Sequence, residues 1–504
     1  MRYRHPFLLL FLTPCLASAE VTFHKDIAPM IYQNCTSCHR VGESGPFPLS
    51  NFEEVSRKAK TIERVIDDRY MPPWHASIDH LSFMDVRRLS EEEIATFATW
   101  VAEGKVEGDP ETGPEMPNFP EGWQLGEPDL IVTMAEAYEV PADGPDIYRN
   151  FVLPLELPED KWVKAVELRP SARSVLHHSL FFLDDSGKAR SLDGKDGKPG
   201  FSGMGFQKSG SIGTYVPGAT PRKLPGDLAR PLPKGSDIVL ATHFHPSGKV
   251  EHEQTTLGIY FSDEPPSRQL EEVQIPPGFG RGAGIDIPAG EKNFVIEDTF
   301  TLPVDFEGIS VGGHAHYICE TMEMTATLPD GSEKILLEIA DWDMDWQDRY
   351  FFAEPIILPK GTVLKTVISY DNSAGNPDNP HSPPQRIKWG RESTDEMGSV
   401  TLLGVPVEAD DYTRLSRATR ADQARIIAQL GRELVDSRVA SRLPQIVKML
   451  DKDGNGELHE SELPQRMRGA LLLRLDADGD KSLNPSEIQT LKDWLETLQT
   501  NEEV

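Results

Sequence analysis

The sequence predicts a multidomain chain: a small all-α module, two β-sandwiches, and a helical C-terminal module. Three observations predict it. Capped helical patterns fill residues 20–106, short alternating or apolar runs broken by Gly, Pro, Asp and Asn fill Leu130 to Val407, and two acidic loops interrupt a helical pattern after Asp410. At 504 residues the chain is long for one domain and reads as three or four. The formal charge of −30 excludes a nucleic-acid partner, because a polyanion binder needs a basic face.

Residues 1–19 read as a signal peptide. Arg2 and Arg4 form a positive start, Pro6 to Leu16 an apolar stretch, and Ala17-Ser18-Ala19 a small-residue cleavage site. The apolar run is too short to span a bilayer and no other segment approaches that length, so no membrane span is expected. An exported protein follows, periplasmic or extracellular in a bacterium. Cys15 leaves with the signal, Cys35 and Cys38 have another use, and Cys319 is left alone, so no internal disulfide is expected.

In the helical module, Phe52 to Asp68 reads as one helix, and Ser90 caps a second that carries Trp100. Cys35-Thr-Ser-Cys38-His39 is C-x-x-C-H. Two thiols at this spacing add to the vinyl groups of a haem, and the adjacent histidine ligates its iron. A zinc reading fails because no second cysteine pair exists. Met71, in Arg69-Tyr-Met-Pro-Pro-Trp74, is the expected sixth ligand, with His75 and His80 as rivals. The module resembles class I cytochrome c domains. Residues 107–129, with five prolines among acids and glycines, have linker composition.

The β region divides near Pro276-Pro277-Gly278 into lobes 130–276 and 277–408. Each carries a histidine pair on a strand-like segment, so the lobes read as distant copies. No strand is placed in Ser186 to Gly235, which is rich in Gly, Pro and Lys. Three histidine clusters stand out: His177-His178, His243-Phe-His245, and His314-Ala-His316. Residues two apart on a strand face the same way, so His314 and His316 point together. His177 and His178 point oppositely on a regular strand, and joint ligation needs a bulge there. Imidazole suits Zn, Cu, Fe and Ni, and a thioether would select copper. Met322, Met324 and Met397 are the candidates. Cys319 reads as a small buried hydrophobe.

These motifs resemble, in order, those of the copper type II, ascorbate-dependent monooxygenases, the family of peptidylglycine alpha-hydroxylating and dopamine beta-monooxygenases. An adjacent histidine pair comes first, then His243-Phe244, then the H-x-H of His314 and His316, then Asp395-Glu396-Met397. The resemblance implies two jelly-roll lobes with one copper ion each. The electron-accepting copper would take His177, His178 and His243, and the oxygen-activating copper His314, His316 and Met397, which would be the catalytic residues. His245 is left as an outer neighbour or rival ligand. Met71-Pro-Pro-Trp74, Asp371-Asn-Ser-Ala374 and Trp389-Gly390 are similar to segments of bacterial members with a fused N-terminal cytochrome c domain. The animal enzymes are rich in disulfides and this chain is not. Their substrate-binding residues find no match, so their substrates are not implied.

After a helical linker, 409–436, residues 437–504 read as an EF-hand pair. Asp451, Asp453, Asn455, Glu457 and Glu462 fall at the oxygen-donor positions of a calcium loop, Glu457 through its carbonyl, with Gly456 at the sharp turn. Asp476, Asp478, Asp480, Ser482 and Glu487 form a second loop in which Lys481 takes the glycine position, so strain and weaker binding are expected. One or two Ca²⁺ ions, a covalent haem c and two copper ions are thus the expected cofactors. The expected activity is hydroxylation of a C–H bond in a small molecule or peptide, with an external donor reducing the haem. The alternative is an exported electron-transfer or copper-binding protein without oxygenase activity.

Overall fold

The computed structural model describes residues 20–119, 122–203, 206, 208–217, 220–434, 443–463, 468–476 and 481–490. The expected signal peptide lies outside the described residues, as do Asp478 and Asp480. The fold is β-rich and multidomain. Two compact units separate: one comprises residues up to Pro73 together with Arg87–Pro120, and the other comprises Trp74–Val86 and everything from Glu121 onward.

The first unit is helical. Asn51 accepts a hydrogen bond from the Glu54 N–H and opens helix Phe52–Asp67, which buries Val55, Ala59, Ile62 and Ile66 along one face. Ser90 and Glu93 form a reciprocal capping box at the start of helix Glu91–Ala102. That helix buries Phe97 and Trp100 against Phe23. The proline-rich stretch after it is not a free tether. The N–H groups of Phe23 and His24 donate to the carbonyls of Val106 and Glu107. Beyond the gap, the N–H groups of Gln124 and Leu125 donate to the buried Glu167 carboxylate in the second unit.

The second unit contains two β-sandwiches. In the first, one sheet runs in the order Leu130–Thr133, Thr256–Phe261, Lys161–Arg169, Arg230–Leu232. Its partner sheet runs Ile147–Pro154, Asp237–Phe244, Leu176–Asp184, Gly210–Tyr215. Alternate residues of both sheets, Leu257, Ile259, Phe151, Leu153, Leu240 and Phe181 among them, share one core. Strands Gly210–Tyr215 and Arg230–Leu232 fall where the sequence offered no pattern. Their pairing with neighbouring strands outweighs a glycine-rich composition that local propensity disfavours.

In the second sandwich, Glu271–Ile275, Gly398–Pro406, Phe306–Ala315 and Arg349–Leu358 form one sheet. Lys292–Thr301, Val363–Asp371, Cys319–Thr327 and Glu333–Ile339 form the other. Because Glu271–Ile275 pairs with Gly398–Pro406, the lobe boundary precedes Glu271 rather than following Pro276. The Pro276-Pro277-Gly278 turn lies inside the second lobe, where Gly278 and Phe279 both take positive φ, at 61° and 57°.

The expected helical module 20–106 is corrected at residues 74–86. Trp74, Ala76 and Phe83 are buried in the core of the second sandwich. Ala76 bridges to Ile339 and Phe83 to Phe352, so this strap joins the outer strand of each sheet. It covers two edges that would otherwise expose unpaired N–H and C=O groups. The physical reason is aromatic area: Trp74 meets Tyr350 edge-on at 5.0 Å, and Phe83 stacks on Phe352 at 5.7 Å.

Helix Tyr412–Leu434 occupies most of the expected helical linker and buries Leu415 in the second lobe. Further on, Leu458 pairs with Leu483, joining the two acidic loops through a short antiparallel ladder. Among the described residues no helix is long and apolar enough to cross a membrane.

Candidate metal centres

In the helical unit, Cys35 ends helix Ala28–Asn34, and the next turn returns so that the N–H groups of Cys38 and His39 both donate to the Cys35 carbonyl. The two cysteines are unpaired thiols, and burial pushes that of Cys35 up to about 12. His39 Nδ1 lies 3.0 Å from the Phe47 carbonyl. A carbonyl only accepts, so Nδ1 carries the proton and Nε2 keeps the lone pair a metal needs. Burial holds the ring below the usual histidine range, and the Phe47 contact opposes that. A side chain at Gly45 would strike the His39 ring at 2.8 Å, so the turn around this histidine requires glycine. Thiols, spacing and bare Nε2 fit a covalently bound haem. Met71 lies in this same unit, its N–H on the Val65 carbonyl, whereas the rivals His75 and His80 bind Asp341 and Glu338 in the other unit.

The first histidine set forms at one end of the first sandwich. His178 pairs with His243 across neighbouring strands, and the register slips between Leu176 and His178. The extra residue in that slip is His177, the bulge that joint ligation demanded. The three ring centroids lie 4.7, 4.9 and 5.2 Å apart, and each ring offers a nitrogen within 4.8 Å of the other two. His243 Nε2 is 2.7 Å from Asp146, and His177 Nε2 is 3.2 Å from Asp345. Carboxylates only accept, so in both rings Nε2 carries the proton and Nδ1 is the bare ligand atom. Consistently, His243 Nδ1 is buried with no partner, and the Nδ1 atoms of His177 and His178 lie 3.1 Å apart. Tyr148 stacks on His243 at 4.2 Å and fixes the ring plane. His245 stays outside the set, exposed, sharing Asp146 through its own Nδ1 at 2.8 Å.

The second set lies in the second sandwich. His314 ends strand Phe306–Ala315 and pairs with Ser399, and Ala315 pairs with Gly398. His316 and Met397 are the next residues beyond this last pair. The buried Glu396 carboxylate fastens this junction. Its Oε1 accepts from the N–H of His316 at 2.6 Å and of Met397 at 2.8 Å, and its Oε2 from that of Ile318 at 3.2 Å. Burial pushes this carboxyl up to about 8 while the three donors pull it down. His316 Nδ1 lies 3.1 Å from the Asp395 carbonyl, and His314 Nδ1 2.5 Å from Gln347 Oε1. Both rings therefore keep Nε2 for a ligand, with centroids 5.6 Å apart. Phe279 meets the His314 ring edge-on at 4.9 Å, which is what its left-handed backbone accomplishes.

Of the three candidate thioethers, Met397 is buried and shares the Glu396 carboxylate with His316 through its backbone N–H. Met322 and Met324 are buried in the apolar core, and a side chain at Gly313 would strike the Met322 sulfur, so Met322 lies under the opposite face of the His314 strand. Cys319 belongs to the same core, and burial pushes its thiol well up.

Four of the ligand-type histidines, His178, His243, His314 and His316, are held below the ordinary range, first by burial. Burial lowers His314 to about 3 and His316 to about 4. His178 is held well down by burial, then by His243, His177, His314 and His316. Neutral imidazoles are the form a metal binds.

In the C-terminal region, Asp451, Asp453 and Glu462 converge, each with an oxygen within 4.8 Å of the others. Asp451 accepts from the N–H groups of Gly454 and Gly456, and Gly456 takes the left-handed turn at φ 85°. Asn455 Oδ1 accepts from the Glu457 N–H at 2.7 Å, which shapes the same turn. In the second loop Lys481 does adopt positive φ, at 68°, with its N–H on Asp476, while Glu487 accepts from the Asn484 N–H and Ser482 is buried. If these loops hold Ca²⁺, EDTA lowers the melting temperature, by an amount equivalent to about 3 kcal/mol at a hundredfold excess over the dissociation constant. An unchanged melting curve after calcium is removed and the other metals are replaced would contradict that.

Asp146, Asp345, Gln347, Glu396 and Phe279 escaped the sequence reading of the site. Only Glu396 carried a signal, its place beside Met397. The others reach the histidines from loops distant in sequence.

No protein-family model matches the chain, and no curated protein does. The solved structures it resembles include the major capsid protein P2 of bacteriophage PM2, at 9% identity and TM-score 0.22 over 55% of this chain and 97% of that one. They also include a peptide-N(4)-(N-acetyl-beta-D-glucosaminyl) asparagine amidase, at 9% identity and TM-score 0.23 over 55% and 96%. Likenesses this distant carry no argument about function.

Proposed function

We propose that the chain is an exported copper-dependent monooxygenase with a fused c-type haem module, two jelly-roll copper lobes and a C-terminal EF-hand pair. One observation carries the reading: three imidazoles converge in one lobe, and in the next two imidazoles lie at a strand junction that shares Glu396 with Met397, whose thioether would complete a second, unlike donor set. A carrier needs one set, whereas a thioether paired with imidazoles suits a copper that cycles through the reduced state. Copper and haem together would supply the redox chemistry by which one atom of O2 enters a C–H bond and the other leaves as water, at the cost of two electrons from an external donor.

The chain's own residues prepare each part. Asp146 and Asp345 hold protons on the outer nitrogens of His243 and His177, so the inner nitrogens stay bare. Gln347 and the Asp395 carbonyl do the same for His314 and His316. Glu396 anchors the backbone on which His316 and Met397 sit. Cys35, Cys38 and His39 would hold the haem, with Met71 as its sixth ligand, and the covalent chain keeps this donor at high local concentration near the lobes. The substrate would be a small molecule or peptide.

The test is metal analysis of the purified haem-loaded protein, followed by O2 uptake with reductant over a compound panel. Two coppers with uptake coupled to a hydroxylated product are expected. In Met397→Ala, product formation should fall at least about 100-fold with the haem spectrum unchanged. Full turnover in that variant would remove the assignment, and two coppers with no coupled product would favour the electron-transfer or copper-carrying alternative.

A further inference from the structure

The turn between strands Glu333–Ile339 and Arg349–Leu358 touches both histidine sets. Asp345 Oδ1 lies 3.2 Å from His177 Nε2, and two residues later Gln347 Oε1 lies 2.5 Å from His314 Nδ1. Trp342, at the start of the same turn, donates its indole N–H to the His316 carbonyl at 3.1 Å. Thus one short segment of the second lobe holds a histidine of the first set and both histidines of the second.

The turn is stiff. Asp343 accepts the Asp345 N–H through Oδ1 at 2.8 Å and the Trp346 N–H through its carbonyl at 3.1 Å. Trp342 and Met344 are buried beneath it. Gln347 Nε2 donates to the Met344 carbonyl at 3.0 Å, which orients the amide so that its oxygen meets His314. Asp345 and Gln347 are thus tied into the same hydrogen-bonded turn, separated only by Trp346.

We propose that the Asp341–Gln347 turn is a shared positioning element that couples the two metal centres, so that filling one set prepares the other. This rests on the reading of both sets as copper centres. Asp345 and Gln347 act through His177 and His314. With its outer nitrogen held by Asp345, His177 presents Nδ1 inward, and a metal there fixes ring, carboxylate and turn together. The turn then holds Gln347 where His314 must present Nε2. Coupling of this kind is reciprocal, so each site raises the affinity of the other by the same factor.

The experiment titrates Cu²⁺ into the copper-free, haem-loaded full chain, following the two centres by electron paramagnetic resonance, in wild type, Asp345→Ala, Asp345→Asn and Gln347→Ala. Asp345 is exposed on its solvent side, so its substitution leaves the fold standing. Asp345→Ala should weaken the three-imidazole centre about 10- to 100-fold and also weaken the thioether centre about fivefold or more, with the hyperfine splitting of both changed. Gln347→Ala should do the mirror image, and Asp345→Asn, which keeps an acceptor oxygen, should recover part of the loss. A variant that weakens only its own centre, or neither, overturns the coupling. Wild type that binds no copper at either set overturns the copper reading itself, a result distinct from wild type whose two centres fill independently.

Discussion

Replacing both Trp74 and Phe83 with alanine in the full chain is expected to unfold the second sandwich under conditions where the wild type is stable. Both rings are buried, at 9% and 7% exposure, and they touch each other at 6.1 Å. Burying an aromatic side chain of this kind stabilises a core by about 3–5 kcal/mol, lost on truncation to alanine. A domain's whole stability is about 5–15 kcal/mol, so each single variant removes a large fraction and the pair removes most of it. Because the rings are in contact, the double variant should lose less than the sum of the singles. The strap's backbone bonds, from the N–H groups of Ser77 and Met84 to the carbonyls of Glu338 and Phe351, would then hold nothing in place. Denaturant titration followed by tryptophan fluorescence and far-ultraviolet circular dichroism measures this. A double variant with the wild-type midpoint would show that the strap only lies on the surface. Any attempt to express the β lobes alone should accordingly begin at or before Trp74.

Glu396→Ala should be nearly as severe and more local. It strips one acceptor from three backbone N–H groups, those of His316, Met397 and Ile318, in a place with no exposed surface. Each buried donor left unsatisfied costs about 1–3 kcal/mol. The strand junction that aligns His316 with Met397 loses its fastening at the same time. The expected result is a melting temperature lowered by several degrees and loss of copper from the thioether centre, with the haem spectrum retained. Glu396→Gln keeps an acceptor oxygen but adds two N–H groups with no partner, so it should fall between. If Glu396→Ala bound copper at His314 and His316 with wild-type affinity, the carboxylate would have no part in building that centre.

These two residues show where sequence reading reached and where it stopped. Trp74 was legible as part of a stiff Met-Pro-Pro-Trp segment, but periodicity is a local signal and nothing local says which core an aromatic residue enters. Glu396 was legible only as the neighbour of Met397. A buried carboxylate among backbone donors has no pattern, since its partners come from strands some eighty positions away. His177 illustrates the reverse case. Its adjacency to His178 already required a bulge if both were to face one metal, and the register slip between Leu176 and His178 supplies it. Strands in the glycine-rich stretch after Ser186 were invisible because pairing, not propensity, makes them.

From the sequence alone came the β-rich multidomain order, the Ser90 helix cap, the C-x-x-C-H motif, the acidic loop at Asp451 and the identity of every histidine in the two sets. Each of these depends on neighbours a few positions apart, and residue type with spacing is enough to state them. Tertiary structure alone decided that residues 74–86 complete the second sandwich, that Met322 lies in the apolar core while His316 and Met397 share Glu396, and that Asp146, Asp345 and Gln347 orient the rings. Those are contacts between strands and loops far apart along the chain. Their energy is realised only when the sheets pair, so no local pattern records them.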